Sequence, residues 1–304
     1  MPPTILVTAA DAGFFPLLQD LLATVAAHRP AADGASAVDL GVCDLGLTEE
    51  QRAWVAARVD RIVEPGWDLN LPAAVRAAKP HLRALTLRPF LPRHFPGYET
   101  YLWVDADVWL QNWQSVDLHI RGARSAHLAA VAHVDRAYRF NRAMIRLRHR
   151  SFSAGFGTAE ADALAVEHHL NAGVFAARAA SPLWAAWAEV FQRAIDASDG
   201  KVVNDQTALN YAWYRRGLSV HLLPAVCNWP CHMAWPAWDP RRRLFCEPYL
   251  PHTAISMLHL TGRTKINLFD VYCLDGKRRR MSFRYPGSAQ AAAQQPAGKA
   301  PAAD

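Results

Sequence analysis

Residues 4–9, TILVTA, make a short apolar run that ends in small side chains just before Asp11. Apolar positions then recur at helical spacing. Phe14, Leu17, Leu18, Leu21, Leu22 and Val25 fall on one face of a helix over residues 14–28. AVDLGVCDL at 37–45 returns to a strand pattern. In TEEQRAWVAARV, Thr48 followed by two acids marks the start of a second helix, because a hydroxyl cap and acidic side chains complement the free N–H groups of a first turn. RIVEP at 61–65 predicts a brief strand, residues 72–91 a helical stretch interrupted by Pro80 and Pro89, and TYLWVD at 100–105 another strand. Strands alternating with helices predict a doubly wound α/β fold, a mostly parallel central sheet flanked by helices. Such sheets bind ligands at the carboxyl ends of their strands. Asp11 and Asp105 both fall there, so the pattern places them in one cleft.

The second half of the chain is more mixed. AHLAAVAHV (126–134) and NAGVFAAR (171–178) read as strands, as do LSVHLLP and AISMLHLTG later on. SPLWAAWAEVFQRAI (181–195) reads as a helix with Ser181 as its cap and Pro182 in its first turn, and VVNDQTALNYAWYRR (202–216) as another. RAYRFNRAMIRLRHR (136–150) reads as a strongly basic helix. Residues 287–304 are low in complexity and read as a disordered tail.

Composition narrows the class of protein. Half of the 304 residues are hydrophobic, enough for a sizeable core in one large domain or two small ones. The net charge of +6 points to anionic partners such as a phosphorylated substrate or a membrane surface; nucleic acid is the least favoured of these. The five cysteines lack the regular spacing of a disulfide framework, which favours a reducing compartment. Cys227, Cys231 and His232 do not have a standard zinc-site spacing. The N-terminus lacks the basic start of a signal peptide, and no apolar run reaches the length of a membrane span. The expectation is a cytoplasmic protein, with peripheral contact at the inner membrane face as an option.

Candidate chemistry centres on YLWVDADVWL (101–110), where Asp105 and Asp107 end an otherwise buried strand. Neighbouring carboxylates repel unless a cation joins them. Mg²⁺ and Mn²⁺ accept carboxylate oxygens and keep positions open for substrate phosphates. Asp-x-Asp at a strand end therefore suits a metal–diphosphate platform; an acidic turn paired with Arg121 or Arg124 suits it as well. Three further stretches add to the metal reading. HLNAGVFAAR (169–178) carries Asn171 and Gly173, NDQTALN (204–210) sets Asp205 and Gln206 in the first turn of a helix, and HLTGRTK (259–265) joins His259, Gly262 and Lys265.

The order D-x-D, N-A-G-V, D-Q, H-x-x-G-x-x-K resembles that of the family-8 glycosyltransferases, over most of the chain from TAAD to Lys265. The resemblance implies a GT-A, Rossmann-like fold. It also implies a retaining, Mn²⁺- or Mg²⁺-dependent transfer from a nucleotide sugar, usually a UDP-sugar, to a glycan or lipid-linked acceptor, as in lipopolysaccharide and other cell-surface polysaccharide synthesis. Asp105, Asp107 and His259 match the metal ligands. Gly262 and Lys265 match the clamp on the diphosphate. Ala9, Ala10 and Asp11 match the loop that holds uracil and ribose, with Ala106 between the acids. Asp205 and Gln206 match the catalytic pair beside the sugar, which Asn171, Ala172 and Gly173 help to hold. Asp11 and Asp205 also suit simple capping of the helices that follow them.

Departures from the family pattern are Thr207, where many bacterial members carry an acid, and Ile266-Asn267 in place of Pro-Trp. The basic residue expected upstream of D-x-D has three candidates, Lys79, Arg83 and Arg88, of which Lys79 and Arg83 are preferred. The domain expectation is a catalytic unit over 1–270, with a nucleotide-binding half (1–110) and a donor/acceptor half (111–270), followed by a basic segment and tail (271–304). Two rival functions stand beside a transferase: a sugar nucleotidyltransferase, and an inactive scaffold that binds nucleotide sugars or glycans. TAADAGFF lacks the basic glycine-rich loop of the first, and intact Asp105, Asp107 and His259 count against the second. The Trp-rich stretch CNWPCHMAWPAWDPRRRLF (227–245) suits either an acceptor-stacking loop or a packed loop. GKRRRMSFRYPG (276–287) suits either an anionic membrane or solvent.

Overall fold

A computed structural model describes residues 4–31, 37–139, 141–201 and 203–287. The first half alternates as its periodicity predicts: β1 (Thr4–Ala10), α1 (Phe15–His28), β2 (Val38–Asp44), α2 (Glu49–Ala56) and β3 (Arg61–Val63). Thr48 caps α2 in a reciprocal box with Gln51. The proline-interrupted stretch breaks into α3 (Ala73–Ala78), α4 (Arg83–Thr86) and α5 (Leu91–His94), joined by single 3₁₀ turns at Pro80–Leu82 and Arg88–Phe90. There follow β4 (Thr100–Val104), β5 (Val108–Leu110), α6 (Gln114–Ser125) and β6 (Leu128–Ala132). Next come α7 (Arg142–Phe156), α8 (Thr158–Leu164), β7 (Leu170–Arg178), α9 (Leu183–Ala197) and α10 (Asp205–Arg215). Short strands close the chain: β8 (Val220–Leu223), β9 (Trp229–Pro230), β10 (Ala237–Asp239), β11 (Leu244–Cys246), β12 (Met257–His259), β13 (Leu268–Tyr272) and β14 (Arg278–Ser282).

The central sheet has the order β3-β2-β1-β4-β7-β6-β8 and is mostly parallel, with β7 antiparallel to both its neighbours. Alternate side chains of its strands enter two cores. Ile5, Val7, Tyr101, Trp103 and Phe175 pack on one face, and Leu6, Leu102, Val104 and Val174 on the other. β5, β12 and β9 form a separate small sheet, and a third core of Trp109, Trp229, Phe245, Leu258 and Phe283 lies beneath it. The D-x-D strand therefore serves two sheets, β4 in the large one and β5 in the small one, with the acids in the turn between them.

Four sequence expectations change in detail. The basic helix starts at Arg142 rather than residue 136, because Asn141 accepts the Met144 N–H and sets the start. Ser181 accepts the Leu183 N–H, but the helix begins at Leu183 with Pro182 as its boundary. Residues 276–287 fold instead of trailing. β14 pairs with β13, Phe283 is fully buried, and the buried Arg284 guanidinium donates to Asp20 on α1. The boundary drawn after residue 270 falls inside β13. Residues 288–304, most of the stretch read as disordered, lie outside the described residues.

Candidate active site

The turn after β4 is shaped by backbone hydrogen bonds. Asp105 donates its N–H to the Gly173 carbonyl (2.8 Å), and its own carbonyl accepts from Val108 (3.0 Å). The Asp107 carbonyl accepts the Leu260 N–H (2.8 Å). In the small sheet His259 lies directly opposite Val108. That register carries the imidazole to the acids. His259 Nε2 is 3.4 Å from Asp107 Oδ1 and 3.7 Å from Asp105 Oδ2. One ligand atom from each of the three residues lies within 4.8 Å of the others, and among the described residues this is the one such group that could hold a metal ion. Ligand atoms around an ion with bonds of about 2.1 Å stand about 3–4 Å apart. Two hard carboxylates, one imidazole and this spacing fit Mn²⁺ or Mg²⁺.

Two cations flank the acids. Lys265 Nζ donates to Asp107 Oδ2 at 2.8 Å. Arg88 lies between Asp105 Oδ1, at 2.5 Å, and Asp205, with which it also forms an ion pair. Its guanidinium packs over the Trp103 ring, whose Nε1 donates to the same Asp105 oxygen (2.8 Å). The two acids of the motif separate in charge affinity. Burial raises the Asp105 pKa, with the adjacent Asp107 charge adding to it, against the pull of Arg88. Burial also opposes the Asp107 charge, but His259 and Lys265 outweigh it and hold that carboxyl down at about 2. Burial works against charge on His259, and the two carboxylates overcome it, so its pKa is raised.

A cavity of about 300 Å³ opens beside this cluster, lined by Ala9 and Ala10, which end β1 rather than lying in the loop beyond it, by Asp11 just after the strand, by Phe14, and by Asp105 to Asp107 with Lys265. Asp11 Oδ1 accepts the Phe14 N–H (2.9 Å), so the residue turns the loop and lines the cavity at once. Gly262 has a positive φ of 58°, which opens the short 3₁₀ turn that ends in Lys265. Of the three upstream bases it is Arg88 that reaches the acids. Lys79 is exposed and is not among the cavity's lining residues. Arg83 directs its guanidinium to the backbone carbonyls of Leu45 and Pro65. The proline-broken backbone is the reason, since the 3₁₀ turn at Arg88–Phe90 aims that arginine inward.

The N-A-G segment is the base of the site. Asn171 is buried, and its Oδ1 accepts from the Gly173 N–H (2.8 Å) and the Asn228 side chain (2.9 Å). The Ala172 N–H donates to Gln206 Oε1 (3.2 Å). Asn210 clasps Leu170 by both its N–H and its carbonyl, which fixes the helix carrying Asp205 and Gln206 against this strand. The Thr207 N–H is taken by the Asn204 cap. Sequence reasoning missed Phe14, Trp103 and Asn228. The aromatic just after the first strand and the Trp two positions before Asp105 were visible signals for the first two; Asn228, in an irregular loop, gave none.

Away from the cluster, the Trp-rich stretch divides. Trp229 is fully buried in the third core, while Trp235 is half exposed beside a second cavity of about 330 Å³ with Arg139 and His232. The cysteines at 43, 227, 231, 246 and 273 are free and buried. No helix among the described residues is long and apolar enough to cross a membrane.

No protein-family model matches the sequence, and no curated relative does. The fold, by contrast, has solved counterparts. The galactosyltransferase LgtC, in complex with donor and acceptor sugar analogues, superposes with a TM-score of 0.53 at 18% identity over 86% of this chain and 88% of that one. An LgtC variant with an active-site glutamine changed to glutamate gives 0.51 at 17% over 85% and 88%. The bifunctional glycosyltransferase WbbM gives 0.52 at 13% identity, covering 86% of this chain but 46% of WbbM. The chain therefore has the GT-A glycosyltransferase fold and resembles the family-8 galactosyltransferase LgtC over most of its length.

Proposed function

We propose that this protein is a metal-dependent, retaining glycosyltransferase that moves a sugar from a UDP-sugar to a glycan or lipid-linked acceptor. One observation carries the reading. Asp105, Asp107 and His259, from distant parts of the chain, meet beside Lys265, and the two acids and Lys265 line a cavity together with the end of β1 and Asp11. LgtC, of the same fold, was crystallised with donor and acceptor sugar analogues, and one of its active-site residues is a glutamine.

In this reading the cavity takes the nucleoside, with Phe14 offering a face to the base and the Asp11 carboxylate accepting from base or ribose. Asp105, Asp107 and His259 hold the ion, which acts as a Lewis acid on the diphosphate. Lys265 and the Gly262 turn meet the charge that grows on the diphosphate as the sugar–phosphate bond breaks. Arg88 holds Asp205 in place to bind sugar hydroxyls. Because Gln206 Oε1 is fixed by Ala172, its NH₂ end is the one presented to the donor sugar. Asp205 is already engaged by Arg88, which favours a sugar-holding role over attack on the anomeric carbon. The acceptor hydroxyl then attacks on the face from which the diphosphate leaves, and its proton passes to the departing phosphate oxygen, so configuration is retained. The exposed Lys277, Arg278 and Arg280 on the C-terminal hairpin suit an anionic membrane where a lipid-linked acceptor resides.

The test is a panel of nucleotide sugars with Mn²⁺, read by nucleotide release. Release from a UDP-sugar that disappears in Asp107→Asn supports the reading. Formation of a nucleotide sugar from UTP and a sugar phosphate, without such release, overturns it in favour of a nucleotidyltransferase.

A further inference from the structure

A chain of buried amides lies against the metal-ligand cluster, and its polarity can be deduced. Gly173 N–H is 2.8 Å from the Asn171 side-chain amide. A backbone N–H only donates, so the atom facing it is the Asn171 oxygen. The Asn228 amide also meets that oxygen, at 2.9 Å, and must present its NH₂. Its oxygen is thereby turned to His259 Nδ1, 3.0 Å away. An oxygen there requires that Nδ1 carry the hydrogen. The Nε2 lone pair is left facing Asp105 and Asp107. Reversing Asn228 would set its oxygen against that of Asn171, and reversing Asn171 would set its NH₂ against the N–H groups of Gly173 and Asn228, in a buried place, since Asn228 is fully buried and Asn171 nearly so.

We infer that Asn228 is the positioning residue of the metal centre: it fixes the tautomer and ring direction of His259, and it is itself oriented, through Asn171, by the Gly173 N–H. The inference rests on the metal-site reading given above. It assigns the N-A-G segment of this chain a second duty beside any contact with sugar, as the fixed end from which the hydrogen-bond polarity is set. A hydrogen-bonded partner on the far nitrogen of a ligating imidazole orients the ring and raises its basicity.

Two measurements on the full-length protein test this. In alkaline, metal-free solution the ¹⁵N shifts of the His259 ring are expected to show Nδ1 protonated and Nε2 bare. In Asn228→Leu the tautomer is expected to shift toward Nε2–H, and Mn²⁺ affinity, followed by the EPR signal of free Mn²⁺ without nucleotide, to fall by about 10–100-fold. A predominant Nε2–H tautomer in the unaltered protein overturns the inference even if the variant does not fold. So does a folded Asn228→Leu that binds Mn²⁺ as the unaltered protein does. If the unaltered protein binds no Mn²⁺, the metal reading itself fails, whatever tautomer the ring shows.

Discussion

A Cβ on residue 173 would lie 2.4 Å from Cε1 of His259, so the imidazole rests against Gly173 in a place that no side chain can share. The same Cβ would come 2.6 Å from Asp105 Oδ2. Gly173→Ala is expected to push the imidazole and the carboxylate apart, weakening Mn²⁺ binding at least tenfold. The overpacking should cost about 1–3 kcal/mol of stability. Calorimetric Mn²⁺ titration alongside thermal unfolding checks both effects; a variant with unchanged Mn²⁺ affinity would show that the contact constrains nothing.

Arg88 gives a second prediction. Its guanidinium is buried between Asp105 and Asp205. Arg88→Ala leaves two carboxylates without their partner and should destabilise the fold by about 3–5 kcal/mol. Arg88→Lys keeps a charge but lacks the fork that reaches both acids. It is expected to recover part of the stability and little of the nucleotide-sugar turnover. Denaturant melts and steady-state rates on the two variants separate these outcomes.

A similar ion pair holds the C-terminal hairpin. Arg284 donates to Asp20 through Nε at 2.8 Å, and both side chains are nearly fully buried. Arg284→Leu takes the charged partner from the buried Asp20 carboxylate and should cost about 3–5 kcal/mol. Removing both charges, with Asp20→Leu added, should recover most of the loss. Unfolding midpoints of the two single variants and the double variant test this.

Acid sensitivity follows from three buried histidines. Burial pushes His119 and His169 down to about 4, and burial with the Arg148 charge puts His133 well below its ordinary value. Unfolded histidines take up protons below about 6.5. The folded chain resists until much lower pH, so the unfolded state binds more protons and stability falls as pH drops from about 6.5 toward 4. Each histidine contributes a slope of up to ~1.4 kcal/mol per pH unit. Chemical denaturation at about pH 7 and about pH 5.5 should show a clear loss at the lower value; equal midpoints would contradict it.

How much of this was legible depended on the length of the elements. The first strand, expected over residues 4–9 and found at 4–10, and the helix after it announced themselves because each was long enough to show its pattern, an unbroken apolar run in the one and helical spacing in the other. The stretch around Arg88 did not, because prolines cut it into pieces of a turn or so, and helical periodicity cannot say which base such a piece aims inward. The pairing of Val108 with His259 joins strands of three residues each, too short to carry any pattern, so motif order alone brought His259 to the acids. Asn228 was invisible because its role lies in which groups surround it. The charge run at 277–280 masked a folded hairpin whose anchor, Asp20, stands 264 positions from Arg284.

The most direct measurement is anomalous diffraction at the manganese edge from crystals soaked with Mn²⁺ and UDP. A single strong peak within bonding distance of Asp105, Asp107 and His259 Nε2, with the diphosphate against Lys265, is the predicted result. UDP in the cavity with no peak at those three side chains, or a peak held elsewhere, would contradict the account.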